Sequence, residues 1–390
     1  MRKSRKLEQH IAVFGESGSG KTVMVSSFYG ATQEQAYKRD ALFDVVADSQ
    51  AQGRFLHQNY LGMRGSARLP IATRFASDSY AFSMNLKNEG KQRERRRAFD
   101  ALRLVWHDYP GEWFEQDLDG AEAIRRVETF RNLLRSDVAL LLIDGQRLLD
   151  NTGEEERYLK ALLTSISNGL RLVKDEVLTG GRRLVQFPRI WVFALSKCDL
   201  LPDVDVFRFR DILVEKASNE IDRLQEVLSE FVESSEALSV GEDFVLLSSA
   251  KFDGGKIEVT ERVGLNLVLP IAAMLPFERH VRWARAMQGG GKVFEHLIRG
   301  AGAMAAAAGG IGALAVKLSQ GDNKLLTSLG LILTHFGSAL EDAAEMGAEK
   351  LKRANEDALA KKETLRAVLT GFQLSLIQGE SERILLRGSR

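Results

Sequence analysis

The stretch GESGSGKT, residues 15–22, constrains this chain more than any other feature. It satisfies the pattern G-x-x-x-x-G-K-[ST] through Gly15, Gly20, Lys21 and Thr22, directly after the apolar run IAVF. A buried strand, a glycine turn and a helix opening in KTVMVSSFYGA together make a phosphate site. The glycines let successive backbone amides point inward as a concave anion nest, and the positive end of the helix adds to the attraction. Expected nucleotide contacts are Gly15, Glu16, Ser17, Gly18, Ser19, Gly20, Lys21, Thr22 and Val23. Lys21 reaches the β- and γ-phosphates, and the Thr22 hydroxyl ligates Mg²⁺. At average residue usage a chain of this length matches the pattern by chance in about 2% of cases. A glycine turn without a ligand is therefore the weaker reading.

At 390 residues the chain has room for one large or two ordinary domains. Its net charge of +1 gives no global pull toward nucleic acid, and none is expected as a partner. The densest basic run, KQRERRR at residues 91–97, reads as a solvated hairpin loop. A lone cysteine, Cys198, leaves no disulfide framework and fits a reducing compartment. The apolar run after the basic N-terminus is too short for a signal-peptide core. A cytoplasmic, bacterial protein is expected.

Strand-like and helix-like patterns alternate along the first 285 residues, which predicts an α/β fold with a mostly parallel sheet flanked by helices. YAFSMNL (80–86) and FDALRLVWHDY (99–109) both alternate and predict an antiparallel hairpin. DVALLLIDG (137–145) and RIWVFALSKCD (189–199) have the continuous apolar character of strands covered on both faces. A helix is expected from about residue 207 to 236, then a strand in EDFVLLSSAK. The helix after it is expected to be interrupted near Pro270 or Pro276. The expected division is a nucleotide-binding domain over 1–288, with insertions at about 31–69 and 151–186, and a helical C-terminal region over 289–390. Residues 341 to about 379 read as surface helix.

Three further stretches bear on the base. HDYPGEW carries D-x-x-G at Asp108 and Gly111, an acid at a strand end that can support Mg²⁺ and a glycine amide that can sense a γ-phosphate. ALSKCDL supplies Ser196, Lys197 and Asp199. A carboxylate there accepts both the N1–H and the exocyclic N2–H of guanine. Against adenine, Asp199 would be left without those donors, at a cost of about 1–3 kcal/mol or more. The Lys197 stem can lie along the base. LSSAK then places Ser249, Ala250 and Lys251 where a backbone amide can meet the guanine O6.

These four stretches resemble the G1, G3, G4 and G5 motifs of GTPases of the translation-factor-related (TRAFAC) class. DYPGEW in particular resembles the YcjX-like family of bacterial stress-associated GTPases and the bacterial double-GTPase relatives. The resemblance covers about residues 8 to 285. It implies a P-loop NTPase fold with a Ras-like G-domain, Mg²⁺ as cofactor, GTP and GDP as ligands, and a switch that hydrolyses GTP to GDP and phosphate. There are two departures. Ser196 stands where Asn or Thr is usual, which predicts weaker ordering of the base loop. Glu112 stands where Ras-like switches carry a water-orienting glutamine, which predicts slow intrinsic turnover.

The expected catalytic set is Lys21, Thr73, Gly111 and Glu112, and the expected metal set is Thr22, Thr73 and Asp108. Thr73 lies in LPIATRFASD, just before a predicted strand, with Thr32 as the competing choice. Arg74 beside it is a candidate arginine finger. The run from Gly300 to Val316 is uncharged and Gly/Ala-rich, and reads first as one arm of a helical bundle packed on the core. Its second reading is conditional contact with the inner membrane. The expected partners are a protein effector or regulator and, as a further candidate, a second copy of the chain. Two other functions stay open on these residues, a dynamin-like membrane GTPase and an ATP-dependent P-loop NTPase.

Overall fold

A computed structural model describes residues 6–70, 79–87, 101–109, 120–253, 256–286, 292–297, 348–361 and 364–388. Its centre is strand β1 (Lys6–Phe14), which leads into the glycine loop and helix α1 (Lys21–Thr32). Helix α2 (Gln35–Asp40), strand β2 (Phe43–Ala47) and helix α3 (Gln50–Ser66) follow. The segment 31–69 therefore carries two helices and a strand. The predicted hairpin is present, with β3 (Ser79–Leu86) antiparallel to β4 (Ala101–His107) and Ser79 opposite His107. The basic run between them lies outside the described residues.

Helix α4 (Gly120–Leu133) precedes β5 (Val138–Asp144), short helix α5 (Gly145–Asp150) and helix α6 (Glu155–Val177). Next come β6 (Ile190–Ser196), α7 (Val206–Phe231), β7 (Ser239–Leu247), the small hairpin β8 (Lys251–Asp253) and β9 (Lys256–Glu258), and α8 (Val268–Ala286). Helices α9 (Ala348–Ala360) and α10 (Thr364–Ser381) and strand β10 (Leu385–Leu386) follow. The eight-stranded sheet runs β10-β7-β6-β5-β1-β4-β3-β2. It is parallel from β7 to β4 and antiparallel at both edges.

Strand alternation sorts the core into two layers. Ile11 and Val13 of β1, with Val138, Leu140 and Leu142 of β5, face α1, α8 and α10. Ala12, Phe14, Ala139, Leu141 and Ile143 face α4, α6 and α7. Every residue of β5 and β6 is buried, which is why both read as unbroken apolar runs. The stretch 151–186, expected as an insertion, contains the helix that joins β5 to β6. Leu159, Leu162, Leu163, Ile166 and Leu170 of α6 are all buried, so this helix belongs to the core.

Two expectations about helices change. Helix α8 is continuous rather than interrupted. Pro270 sits in its first turn, where no intrahelical amide is needed, and Pro276 lies inside it. Ala272, Ala273, Leu275 and Phe277 around Pro276 are all buried, and that burial offsets the lost hydrogen bond. The segment 341–379, expected as surface helix, is not all on the surface among its described residues. Val368, Leu369, Phe372 and Leu376 of α10 enter the core, and Phe372 meets Phe43 edge-on at 6.0 Å. Their i, i+4 spacing is present in the chain, but the charged neighbour α9 masks it when the whole segment is averaged.

The C-terminal strand is tied down by charge as well as by pairing. Arg279 and Asp243 are both fully buried, with Arg279 Nη2 donating to the two carboxylate oxygens at 2.7 and 2.9 Å. The Gly388 amide donates to Asp243 Oδ1 at 2.9 Å, and Arg387 pairs with Glu278 and Glu380. Removing one member of a buried pair strands the other charge. Asp243→Ala is expected to lower the unfolding free energy by about 3–5 kcal/mol, read by urea titration.

Candidate functional site

The glycine loop connects β1 to α1, and its backbone explains its composition. Gly18 and Gly20 have φ of 82° and 93°, the left-handed region that side chains disfavour. Gly20 is the residue that caps α1, so the first helical turn opens directly on the loop and presents amides with no intrahelical acceptor. Lys21 is buried, and its Nζ donates to the Gly15 and Glu16 carbonyls at 2.8 and 3.0 Å. The lysine head is thus folded back over the loop it serves.

Tyr109, the residue after Asp108, holds that loop from beneath. Its hydroxyl accepts from the Gly15 amide at 3.0 Å and lies 3.1 Å from the Gly15 carbonyl, to which it donates. Its ring sits 5.1 Å from Lys21 Nζ and packs on Phe14 and Phe130. Tyr109→Phe keeps the ring and removes both bonds. It is expected to lower the unfolding free energy by about 1–3 kcal/mol, measured by chemical denaturation. Glu16 is drawn the other way, to Arg147 of α5 at 2.9 Å, and Arg147 also donates to the Ser17 carbonyl.

The second half of the site comes from the ends of β6 and β7. Lys197 adopts φ 53°, a left-handed conformation, and its Nζ pairs with buried Asp144 at 2.7 Å. Ser196 donates to the Ile143 carbonyl at 3.2 Å, which fastens the loop to β5. Gly145 makes this approach feasible. A Cβ there would lie 2.6 Å from the Ser196 carbonyl oxygen and 2.8 Å from that of Lys197. Asp199 receives a hydrogen bond from the Ser248 hydroxyl at 2.7 Å, so its carboxylate is oriented by the end of β7. Burial, then the nearby Asp199 charge, pushes the Cys198 thiol up to about 12, so it stays an unreactive thiol at neutral pH.

One cavity of about 470 Å³ joins the two halves, a volume within the range of small-molecule sites. Of the expected residues, Ser17 through Val23, Asp108, Ser196, Lys197, Asp199, Ser249 and Ala250 line it. Gly15 and Glu16 are not in its wall. Gly15 is engaged by Tyr109 and Lys21, and Glu16 by Arg147. Lys251, also outside the wall, pairs with Glu261 at 3.3 Å. Thr73, Arg74, Gly111 and Glu112 lie outside the described residues, as does the run from 300 to 316.

Thr22 and Asp108 face this same cavity with hard oxygen donors, a set that suits Mg²⁺ when phosphate oxygens and water complete its shell. Among the described residues no group of three or more His, Cys, Asp or Glu is placed to hold a metal unaided. His107, beside Asp108, is bonded to Ser79 and His10, and burial followed by the His10 charge pushes its imidazole down to about 4. It is neutral at physiological pH.

Sequence reasoning missed Tyr109, Asp144 and Ser248. Asp144 and Ser248 each stand at or just past the end of an apolar strand, a position that could have flagged them. Their partners, Lys197 and Asp199, are 53 and 49 positions away in the chain. Only the pairing of β5, β6 and β7 brings them together.

Residues 9–240, more than half of the chain, match the profile of the Double-GTPase 2 family. No curated protein matches the chain. Among solved structures it is similar to the S. cerevisiae Ski7 GTPase-like domain, bound to GTP, at 15% identity with a TM-score of 0.28. The match covers 63% of this chain and 43% of that one.

Proposed function

This chain belongs to the Double-GTPase 2 family, and from that premise we propose that it is a Mg²⁺-dependent switch that binds GTP and hydrolyses it to GDP and phosphate. The observation that carries the reading is the single cavity shared by the phosphate loop and Asp199. The amides of the loop and Lys21 hold the phosphates. Asp199, oriented by Ser248, accepts the two N–H groups on the guanine edge, and Lys197 and Ala250 complete the base end. Thr22 and Asp108 would hold Mg²⁺, which neutralises phosphate charge when bound.

Thr73, Gly111 and Glu112 are proposed from their sequence positions to complete the γ-phosphate end. Glu112 in place of a glutamine supports slow intrinsic turnover, because a carboxylate beside the γ-phosphate is repulsive. An unaided Ras-type switch turns over at about 10⁻⁴ s⁻¹, and a rate of that order is expected here. A protein effector or regulator would read the nucleotide state, with residues 1–288 carrying the chemistry and 289–390, apart from the α10–β10 segment that completes the core and the sheet, part of the output. The lone cysteine supports a cytoplasmic setting. Among the described residues no helix is long and apolar enough to cross a membrane.

A competition titration tests the reading. A fluorescent GDP analogue bound to the purified protein with Mg²⁺ should be displaced by GTP and GDP, and not by ATP or ADP at the same concentrations. Equal displacement by ATP would remove the guanine assignment and leave an ATP-dependent P-loop NTPase.

A further inference from the structure

Part of the cavity wall has no task in the reading above. Phe252 and Leu69 both line the cavity, yet 43% of Phe252 and 59% of Leu69 remain open to solvent. Phe252 lies on β8, two residues beyond Ala250, so it belongs to the strand that leaves the base end of the site. An aromatic side chain in the wall of the cavity that also holds a carboxylate suited to a base edge offers an apolar surface for the face of that base.

The wall is built from the chain's own packing. Strand β8 pairs antiparallel with β9, and Phe252 stands opposite Ile257. Ile257 and Val259 are buried in a small cluster with Ala250 and with Tyr60 and Met63 of α3. That cluster joins the β8–β9 hairpin to the helix from segment 31–69, and the chain leaving α3 supplies Leu69 to the rim. Phe252 itself stays outside the cluster's buried set. The hairpin is anchored through Ile257, while the Phe252 ring stays half-exposed in the cavity wall.

We propose that Phe252 is the stacking wall for the nucleobase: the π face of the base packs on its ring while Asp199 reads the base edge. The proposal rests on the nucleotide-binding reading above and adds a division of labour to it. Stacking is tolerant of base identity, because every base has a π face. Phe252 therefore sets how tightly a nucleoside phosphate is held, and Asp199 sets which one. Ligands that lack a base gain nothing from Phe252.

The test uses the full-length protein with Mg²⁺. Phe252→Ala should raise the Kd for GDP about tenfold and leave the ratio of GDP to ADP affinity where it is in the unaltered protein. Phe252→Tyr, which keeps the ring, should restore GDP binding to within about threefold of the original. Phe252→Trp adds a reporter. Its emission, corrected for the emission of the unaltered protein, should change with GDP and not with pyrophosphate, which fills only the phosphate end. GDP affinity unchanged in Phe252→Ala would overturn the proposal, as would a Phe252→Trp signal of equal size with pyrophosphate. If the unaltered protein binds no guanine nucleotide, the functional reading has failed instead, and that is seen before any variant is made.

Discussion

Lys21→Ala should remove nucleotide binding almost entirely, with the Kd for GDP rising at least about 100-fold in a fluorescence titration. The lysine is the buried cation of the phosphate loop, held by the Gly15 and Glu16 carbonyls and resting over the Tyr109 ring. Its charge is therefore held at the loop by the chain's own groups. Hydrogen bonds to charged groups are worth about 1.5–3 kcal/mol each, so losing the lysine's contact with the β-phosphate, together with its charge, is expected to cost about 3 kcal/mol or more. A Kd within about tenfold of the original would mean that the loop does not bind phosphate through Lys21. A melting curve on the same variant separates loss of the site from loss of the fold.

Asp199→Asn should erase guanine preference rather than binding as such. The carboxylate offers two acceptor oxygens, one of them already aligned by the Ser248 hydroxyl at 2.7 Å. An amide in its place presents an NH₂ donor toward a guanine edge that is itself a donor. The loss is about 3 kcal/mol or more, which is roughly two orders of magnitude in GDP affinity. ATP and ADP have no pair of donors to lose, so their binding should change little, and the GDP to ADP ratio should collapse toward one. An unchanged ratio would show that Asp199 does not read the base. Paired with Lys21→Ala, the variant separates the phosphate end of the cavity from its base end.

The local readings that held share one property: they depend on neighbours in the chain. Gly18 and Gly20 adopt the left-handed angles that a phosphate loop needs. Strands β5 and β6 lie where their continuous apolar runs placed them, and the hairpin of β3 and β4 forms between two alternating stretches. Such signals are set by backbone angle and burial period, both of which are written locally. The readings that changed involve partners far away in sequence. A Pro276 that ends a helix on propensity grounds is carried through it by burial on α8, and α10 turns one face into a core that reaches back to Phe43.

The same division runs through the site. Residue order alone specifies the glycine loop and its lysine, the acid at Asp108, the Asp199 proposed to read the base, and the α/β order that strings them together. Those assignments rest on residue types whose chemistry needs a fixed short spacing. Packing between distant segments settles what holds each group in place: Tyr109 under the loop, Asp144 on Lys197, Ser248 on Asp199, and the α3 and β8–β9 cluster that sets Phe252 at the rim. No spacing rule links these pairs, because their contact depends on which strands lie side by side and which faces they turn to the core. A motif can state which atoms meet a ligand. The distance between two such motifs is a property of the packed sheet alone.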